Sequence, residues 1–240
     1  MNFETYAYTD CGSRKNNEDN LIYSEDMWVV CDGLGGHGGG EKASQAATGY
    51  IMGMVKDTPE KLTDNDFLKN VVEGANARIL ELQKTTPDLK QMRTTVVAVF
   101  TDSKVLRYVN VGDSRFYYFK KGKLFYQSKD HSLSAVSVKM GSITDVRLDV
   151  DRNKLLRALG NSEEVGVEIP EEVIIPEPGD TFLLCSDGFW EYVYETEMEI
   201  DLAKSITMEQ WMKFMVKRIL LKTKNISNDN FTAICVKVKM

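Results

Sequence analysis

Short apolar runs of strand character alternate with polar turns along most of this chain, and helical periodicity shows in only three places. Residues 4–9, 27–31, 94–101, 105–111, 115–120, 123–127, 173–175, 181–185 and 231–239 are rich in Val, Ile, Tyr and Phe, and are punctuated by Gly, Asp or Asn. Such runs bounded by turn formers read as β-strands. Between residues 94 and 127 the connections are only Asp102-Ser103, Gly112-Asp113-Ser114 and Lys121-Gly122. Helical crossovers do not fit in so few residues, so an antiparallel four-strand meander is predicted there.

Helical spacing of three and four links Ala43, Ala46, Ala47, Tyr50, Ile51 and Met54, and again Phe67, Val71, Ala75, Ile79 and Leu82. Each stripe should lie on a sheet. A third stripe, Met208, Trp211, Met212, Met215, Val216, Ile219 and Leu220, follows Thr207 with Gln210 three residues on, the pattern of a capping box. Strands, two helices, more strands, a helix and a last strand in that order predict an α+β layered fold rather than a doubly wound one. Without a repeat or a Pro/Ser-rich linker, residues 1–240 are expected to form a single domain. Residues 130–153, DHSLSAVSVKMGSITDVRLDVDRN, are the least regular and read as a surface insertion covering something.

Composition narrows the function classes. With 42% hydrophobic and 28% charged residues in 240, the chain can bury a core without staples. A formal net charge of −6 removes the broad positive field that nucleic-acid binding needs. The N-terminal segment has no charged leader followed by an apolar stretch, and no apolar run approaches a membrane span, so a cytoplasmic protein is expected. Cys31, Cys185 and Cys235 fall in predicted strands, Cys11 stands apart, and no CxxC occurs. The pattern is that of reduced thiols.

Several chemistries are excluded. No cysteine is followed six positions later by an arginine, as a cysteine phosphatase loop requires, and GxSxG, HExxH and GxxxxGK[ST] are absent. His37 and His131 are too few for a histidine-rich zinc site, so any metal would be held mainly by oxygens. Gly33, Gly35 and Gly38 match GxGxxG. However, Asp32 would repel a pyrophosphate there, and the next element is a second helix instead of a parallel strand.

The acidic residues carry the chemistry. Asp32, Asp113, Asp187 and Asp229 stand where apolar strands meet Gly- or Asn-rich turns, and Glu18 and Asp19 precede the apolar run from Leu21. Taken singly, each reads as a turn cap. Taken jointly, carboxylates converging at strand ends would repel one another unless hard divalent cations lay between them. Two such ions bridged by a carboxylate can activate a water for attack on a phosphoryl group. Gly33 would let its carbonyl approach an ion. Arg14, four residues before Glu18, either faces the same site as a phosphate ligand or is a solvated loop residue.

These residues together resemble the metal-dependent Ser/Thr protein phosphatases, the PPM or protein phosphatase 2C family, in its bacterial form. The likeness rests on RxxxED (Arg14, Glu18, Asp19), DGxGG from Asp32 with Gly40 to Ser44 following, TT (Thr94, Thr95) and GDSR from Gly112. DHS from Asp130, RALG from Arg157, SDG from Ser186 and DN (Asp229, Asn230) continue it in order and spacing. The resemblance implies an αββα sandwich of two antiparallel sheets flanked by helices, and a protein-serine/threonine phosphatase acting on phosphoproteins made by a Ser/Thr kinase. It implies two Mn²⁺ or Mg²⁺ ions, with Asp32 bridging, the Gly33 carbonyl on the first, and Asp187 and Asp229 on the second. Asp113 and Asp187 would form a weaker third site, Glu18 and Asp19 would act directly or through water, and Arg14 would hold the substrate phosphate. The nucleophile would be a metal-bridging water, with no phosphoenzyme. A monomer, with neither nucleic acid nor membrane as partner, is expected.

Two departures from the family stand out. Leu34 occupies the position where animal members place a histidine as candidate general acid. His37, three residues on, is either that acid or an exposed loop residue. The flap, about residues 131–155, carries Thr144 to Asp151 in place of the His-Pro stretch of bacterial relatives. The competing class is an inactive module that retains the fold and binds a phosphoprotein; it would be expected to have lost a metal-binding carboxylate, and here all are present.

Overall fold

The strand Met27–Cys31 shows how the layers assemble. Met27, Val29 and Cys31 pack against helices, whereas Trp28 and Val30 pack against a second sheet. A strand buried on both faces has no polar side to alternate with, which is why its sequence is continuously apolar. The structure is a computed structural model that describes residues 1–35, 39–149, 154–162 and 164–239. His37 and the end of the Thr144 to Asp151 stretch lie outside the described residues.

In chain order the elements are β1 (Asn2–Asp10), β2 (Asn20–Tyr23), β3 (Met27–Cys31), β4 (Gly33–Leu34), α1 (Gly39–Asp57), α2 (Asn65–Thr85), β5 (Arg93–Thr94) and β6 (Val96–Thr101). There follow β7 (Leu106–Val111), β8 (Arg115–Lys120), β9 (Lys123–Gln127), α3 (Leu133–Lys139), β10 (Thr181–Cys185), α4 (Asp187–Trp190), α5 (Glu195–Lys204), α6 (Met208–Lys222) and β11 (Phe231–Lys239). One sheet has five strands in the order β1-β11-β10-β8-β9, the other has four in the order β2-β3-β6-β7, and β4-β5 is a short separate pair. All pairings are antiparallel, with Tyr6 opposite Cys235, Leu183 opposite both Cys235 and Tyr117, and Met27 opposite Phe100.

Three apolar layers hold the sandwich. Trp28, Val97, Phe116, Phe182 and Ile234 fill the space between the sheets. Ala43, Ala47, Ile51, Val71, Ala75 and Ile79 from α1 and α2 cover the four-stranded sheet. Trp211, Met212, Met215 and Ile219 from α6 cover the five-stranded one. The α+β, αββα architecture expected from sequence is therefore the one observed.

Four details differ from expectation. The predicted meander is two hairpins in different sheets: β6 and β7 pair in one, β8 and β9 in the other, and Gly112-Asp113-Ser114 crosses between them. Sequence spacing shows that a connection is short, but not whether the chain turns back in its own sheet. Residues 173–175 form no named strand; Ile174 makes an isolated bridge to Leu106. Helix α5 was not anticipated because its apolar stripe is weak, with only Met198 and Asp201 buried. In α6 the Thr207 side chain accepts from Gln210 N at 3.2 Å as expected, but the Gln210 side chain returns to Ile206 N at 3.0 Å instead of to the cap itself.

Trp28 is the largest side chain between the sheets, fully buried, edge-on to Phe3 and Phe182 at 4.9 and 5.1 Å, with its indole N–H donated to Thr5 Oγ1 at 2.9 Å. Replacing it by alanine should cost about 3–5 kcal/mol through the cavity left behind. Exposed Ile175→Ala should change stability by less than about 0.5 kcal/mol. Urea unfolding midpoints of the two variants check this.

Candidate active site

Strand register brings the acidic residues together. In the five-stranded sheet Asp10 lies opposite Phe231, Cys185 opposite Ala233, and Arg115 opposite Cys185, so the loops after β1, before β11, after β10 and before β8 leave from one end. In the other sheet Asn20 lies opposite Cys31, and Val96 opposite Val111. The crossing loop at residues 112–114 places that end beside the first. The result is a cavity of about 620 Å³ whose walls include Arg14, Glu18, Asp32, Gly33, Asp113, Asp187 and Asp229. Of the sequence-predicted site residues only Asp19 is not in that wall; it is buried behind it, against Asp32 and Ser186.

The segments that carry the acids are held by neighbouring backbone and side-chain groups. Asp32 O accepts from Thr95 N and from Thr94 Oγ1, both at 2.8 Å, and Asp32 N donates to Thr95 Oγ1 at 3.0 Å. Thr95 Oγ1 also lies 2.7 Å from Ser114 Oγ, tying Asp32 to the crossing loop. Gly112 in that loop has φ +112° and a Cβ there would meet Thr95 Cγ2 at 2.6 Å, so only glycine fits. Ser186 Oγ donates to Asp19 Oδ2 at 2.7 Å. Asn230 accepts from Glu18 N at 2.8 Å and donates to the carbonyls of Cys11 and Asn16, fixing the loop that carries Arg14 and Glu18. A Cβ on Gly33 would come within 2.3 Å of the Glu18 and Gly40 carbonyls, and one on Gly40 would meet Gly33 O and Glu18 Oε2, each at 2.7 Å. The Gly33 carbonyl and the Glu18 carboxylate thus lie side by side.

The electrostatics follow from this crowding. Asp32 lies against Asp19 and Asp187, close enough for carboxyl-to-carboxyl hydrogen bonds. Burial, then the charges of Asp19, Asp187 and Asp113, push Asp32 well above the usual carboxylate range. Burial and then Asp187 raise Asp113 likewise. Burial, with Glu191 and Asp229 adding to it, takes Asp187 to about 7, and burial takes Asp19 to about 6 although Ser186 opposes it. Glu18 is raised by burial and by Asp229. Arg14 Nη2 donates to Asp229 Oδ2 at 2.7 Å across the mouth of the cavity, and this bond raises the guanidinium pKa. Among the described residues no group of three or more His, Cys, Asp or Glu side chains is already set around a metal position. The acids instead meet one another, an arrangement that demands either protons or cations.

Residues outside the expected set complete the site. The Trp190 indole donates to Asp113 O at 2.9 Å, so α4 carries Asp187 at its start and fixes the Asp113 loop at its end. Arg115 stacks on the same indole at 3.4 Å and pairs with Asp130 at 2.9 Å. His131 N donates to Gly112 O at 3.0 Å and its Nδ1 accepts from Gly112 N at 3.2 Å. Burial, and then Arg157, lower its pKa to about 4, so it is a neutral strap on the crossing loop. Arg147 in the flap donates to Trp190 O at 3.0 and 3.1 Å and to Glu195 Oε1 at 2.9 Å, docking this chain's own flap sequence beside the site. Leu155 and Leu34 supply apolar wall. The TT, SDG and DN motifs contained Thr95, Ser186 and Asn230; nothing in the sequence singled out Trp190 or Arg147, whose partners are distant in the chain.

A sandwich of this kind with acidic loops meeting at one end defines a phosphatase fold, and comparison with known proteins agrees. Residues 13–224 match the family model described as Protein phosphatase 2C. A serine/threonine phosphatase stp from Listeria welshimeri is 36% identical over 208 residues, spanning 82% of this chain and 81% of that protein. The crystal structure of the Mycobacterium tuberculosis serine/threonine phosphatase PstP/Ppp superposes with a TM-score of 0.87 at 27% identity, over 100% of both chains. A structure of the PstP catalytic domain in complex with two manganese ions gives 0.85 at 27% identity, covering 100% of this chain and 99% of that one. This chain belongs to the protein phosphatase 2C family and is a protein serine/threonine phosphatase. Among the described residues no helix is long and apolar enough to cross a membrane.

The raised carboxyls set a pH dependence for the metal-free protein. A carboxyl that binds its proton more tightly folded than unfolded stabilises the fold fully below its unfolded pKa, near 3.8, and loses that contribution as pH rises through its folded value. In chelator, the melting temperature should therefore fall by several degrees between about pH 4 and pH 7 relative to an Asp19→Asn/Asp187→Asn variant. Millimolar Mn²⁺ should remove the difference at pH 7. Thermal melts across that range measure both.

Proposed function

We propose that the cavity hydrolyses phosphoserine and phosphothreonine in proteins with two divalent cations, Mn²⁺ or Mg²⁺, as cofactors. The observation that carries this reading is the meeting of Asp19, Asp32, Asp113, Asp187 and Asp229 at one end of the sandwich, an all-oxygen donor set in which Asp32 lies against both Asp19 and Asp187. Its chemistry fits hard cations. Asp32, central to the cluster, would bridge, with the Gly33 carbonyl beside one ion and Asp187 and Asp229 beside the other. Asp113 with Asp187 offers a third, weaker position, and Glu18 and Asp19 act at the rim and behind it. When bound, such ions activate a water for in-line attack and neutralise phosphoryl oxygens.

The remaining work falls to the chain's own groups. Arg14 stands at the mouth of the cavity, and its fork can turn from Asp229 to the oxygens of an incoming phosphate. Thr95, Ser186 and Asn230 hold the acids in place, so that substrate binding demands little rearrangement. Among the described residues the wall has no serine, cysteine or histidine nucleophile, and its aspartates are the candidate cation ligands rather than free nucleophiles, which favours direct hydrolysis. Leu34 supplies no proton, so the leaving group takes one from water or another group. Residues 1–240 would act as a single catalytic domain.

Turnover of p-nitrophenyl phosphate should require Mn²⁺ and stop with EDTA; chelator-resistant turnover refutes the reading. Asp187→Asn, which removes charge from the second ion, should lower kcat by at least about 100-fold while leaving the fold intact by circular dichroism. Arg14→Ala should lower kcat/KM for a phosphopeptide by about 10–100-fold through one lost charge-assisted contact, with metal dependence unchanged.

A further inference from the structure

A second concavity of about 720 Å³ lies on the other side of the flap, and nothing in the mechanism above uses it. Its wall includes Lys129, Lys139 and Arg157. The two cavities share a partition: Leu155 faces the catalytic one, and Leu156, the next residue, faces the second. The segment is tied down by the bridge from Leu155 to Ser132.

The exposed charge in this concavity is positive. Lys129, Lys139 and Arg157 are all exposed, and among the described residues none forms an ion pair. Of the two carboxylates in the wall, Asp130 pairs with Arg115 at 2.9 Å, and Glu168 is largely withdrawn from solvent, its Oε1 accepting from the Tyr108 hydroxyl at 3.0 Å while its Oε2 has no hydrogen-bond partner among the described residues. Lys129 and Arg157 each act electrostatically on both His131 and Glu168, which line the same concavity. In a chain of net charge −6, two lysines with no ion-pair partner among the described residues, and an arginine whose guanidinium donates to Gly166 O at 3.0 Å, gather positive charge around one hollow.

We infer that this concavity is a subsite for acidic side chains of the phosphoprotein substrate, so that the enzyme selects phosphoserine or phosphothreonine with acidic residues nearby in sequence. The inference rests on the phosphatase reading of the neighbouring cavity. One chain's width, about 5–10 Å, separates the two, and an extended peptide advances about 3.3–3.6 Å per residue. The selected acidic positions are therefore about two to three residues from the phosphorylated one. The interaction is solvent-exposed and so sensitive to salt.

The test uses the full chain and its Lys129→Glu/Lys139→Glu variant, neither residue being part of the catalytic machinery. Fluorescein-labelled serine peptides carrying glutamate, glutamine or lysine at positions two and three from the serine are compared in two ways. Phosphorylated forms are followed by turnover and unphosphorylated forms by fluorescence anisotropy, which needs no catalysis. Wild type should favour the glutamate peptide about fivefold in both, and the preference should vanish in 0.5 M salt. The variant should lose it and favour the lysine peptide, with p-nitrophenyl phosphate turnover unchanged. Equal handling of all three peptides by wild type, or a preference that survives the charge reversal, overturns the inference. If turnover fails on every phosphorylated compound, the function proposed for the neighbouring cavity fails, and the anisotropy series still decides the subsite.

Discussion

Like charges forced together in a partly buried place are the constraint on which this molecule is organised. Asp19, Asp32, Asp113 and Asp187 would each be unremarkable in a surface turn; gathered at the end of a sandwich, they bind protons more tightly because burial, and after it the charge of neighbouring acids, disfavours their ionised forms. A fold that keeps such a cluster must hold it rigidly, because the acids would otherwise swing apart into solvent. The hydroxyls of Thr94, Thr95 and Ser186 and the carboxamide of Asn230 serve that end, bonding the backbone or side chain of the acids from the opposite sheet or a neighbouring loop.

The helical side of the five-stranded sheet takes part in the same arrangement. Helix α4 is too short to contribute much apolar area, yet it joins Asp187 to Trp190, and the Trp190 indole reaches the backbone of Asp113. Arg115 lies on the indole, and Arg147 from the flap bonds the Trp190 carbonyl. One tryptophan is thereby common to the acidic cluster, the crossing loop and the flap. A guanidinium suits both contacts because its flat, weakly hydrated face stacks while its edge donates in a fixed fork.

The flap separates two cavities of opposite electrical character. On one side carboxylates dominate the wall and Arg14 stands at the mouth; on the other the exposed charged groups are two lysines and an arginine. Leu155 lines one cavity and Leu156, the next residue, lines the other. This contrast is a property of the folded chain alone, since Lys129, Lys139 and Arg157 are well separated in the sequence.

Much was legible before any coordinates. Strand runs such as 27–31 and 181–185 are apolar throughout because both faces are buried, and the stripes of α1, α2 and α6 repeat at helical spacing because one face is. The candidate acids could be named because each ends such a run, where a strand must yield to a turn. Local chemistry therefore determined most of the strands, helices α1, α2 and α6 and the identity of the acidic set, while the αββα layering followed from the family resemblance. What only the tertiary structure decided was relation across the chain: that residues 112–114 pass between sheets, that Thr95 clamps Asp32, that Trp190 serves Asp113, and that Arg147 anchors the flap. Those contacts join residues far apart in sequence through single hydrogen bonds or one stacked ring, and no periodicity records them, because a period reports only which face is buried and not what it is buried against.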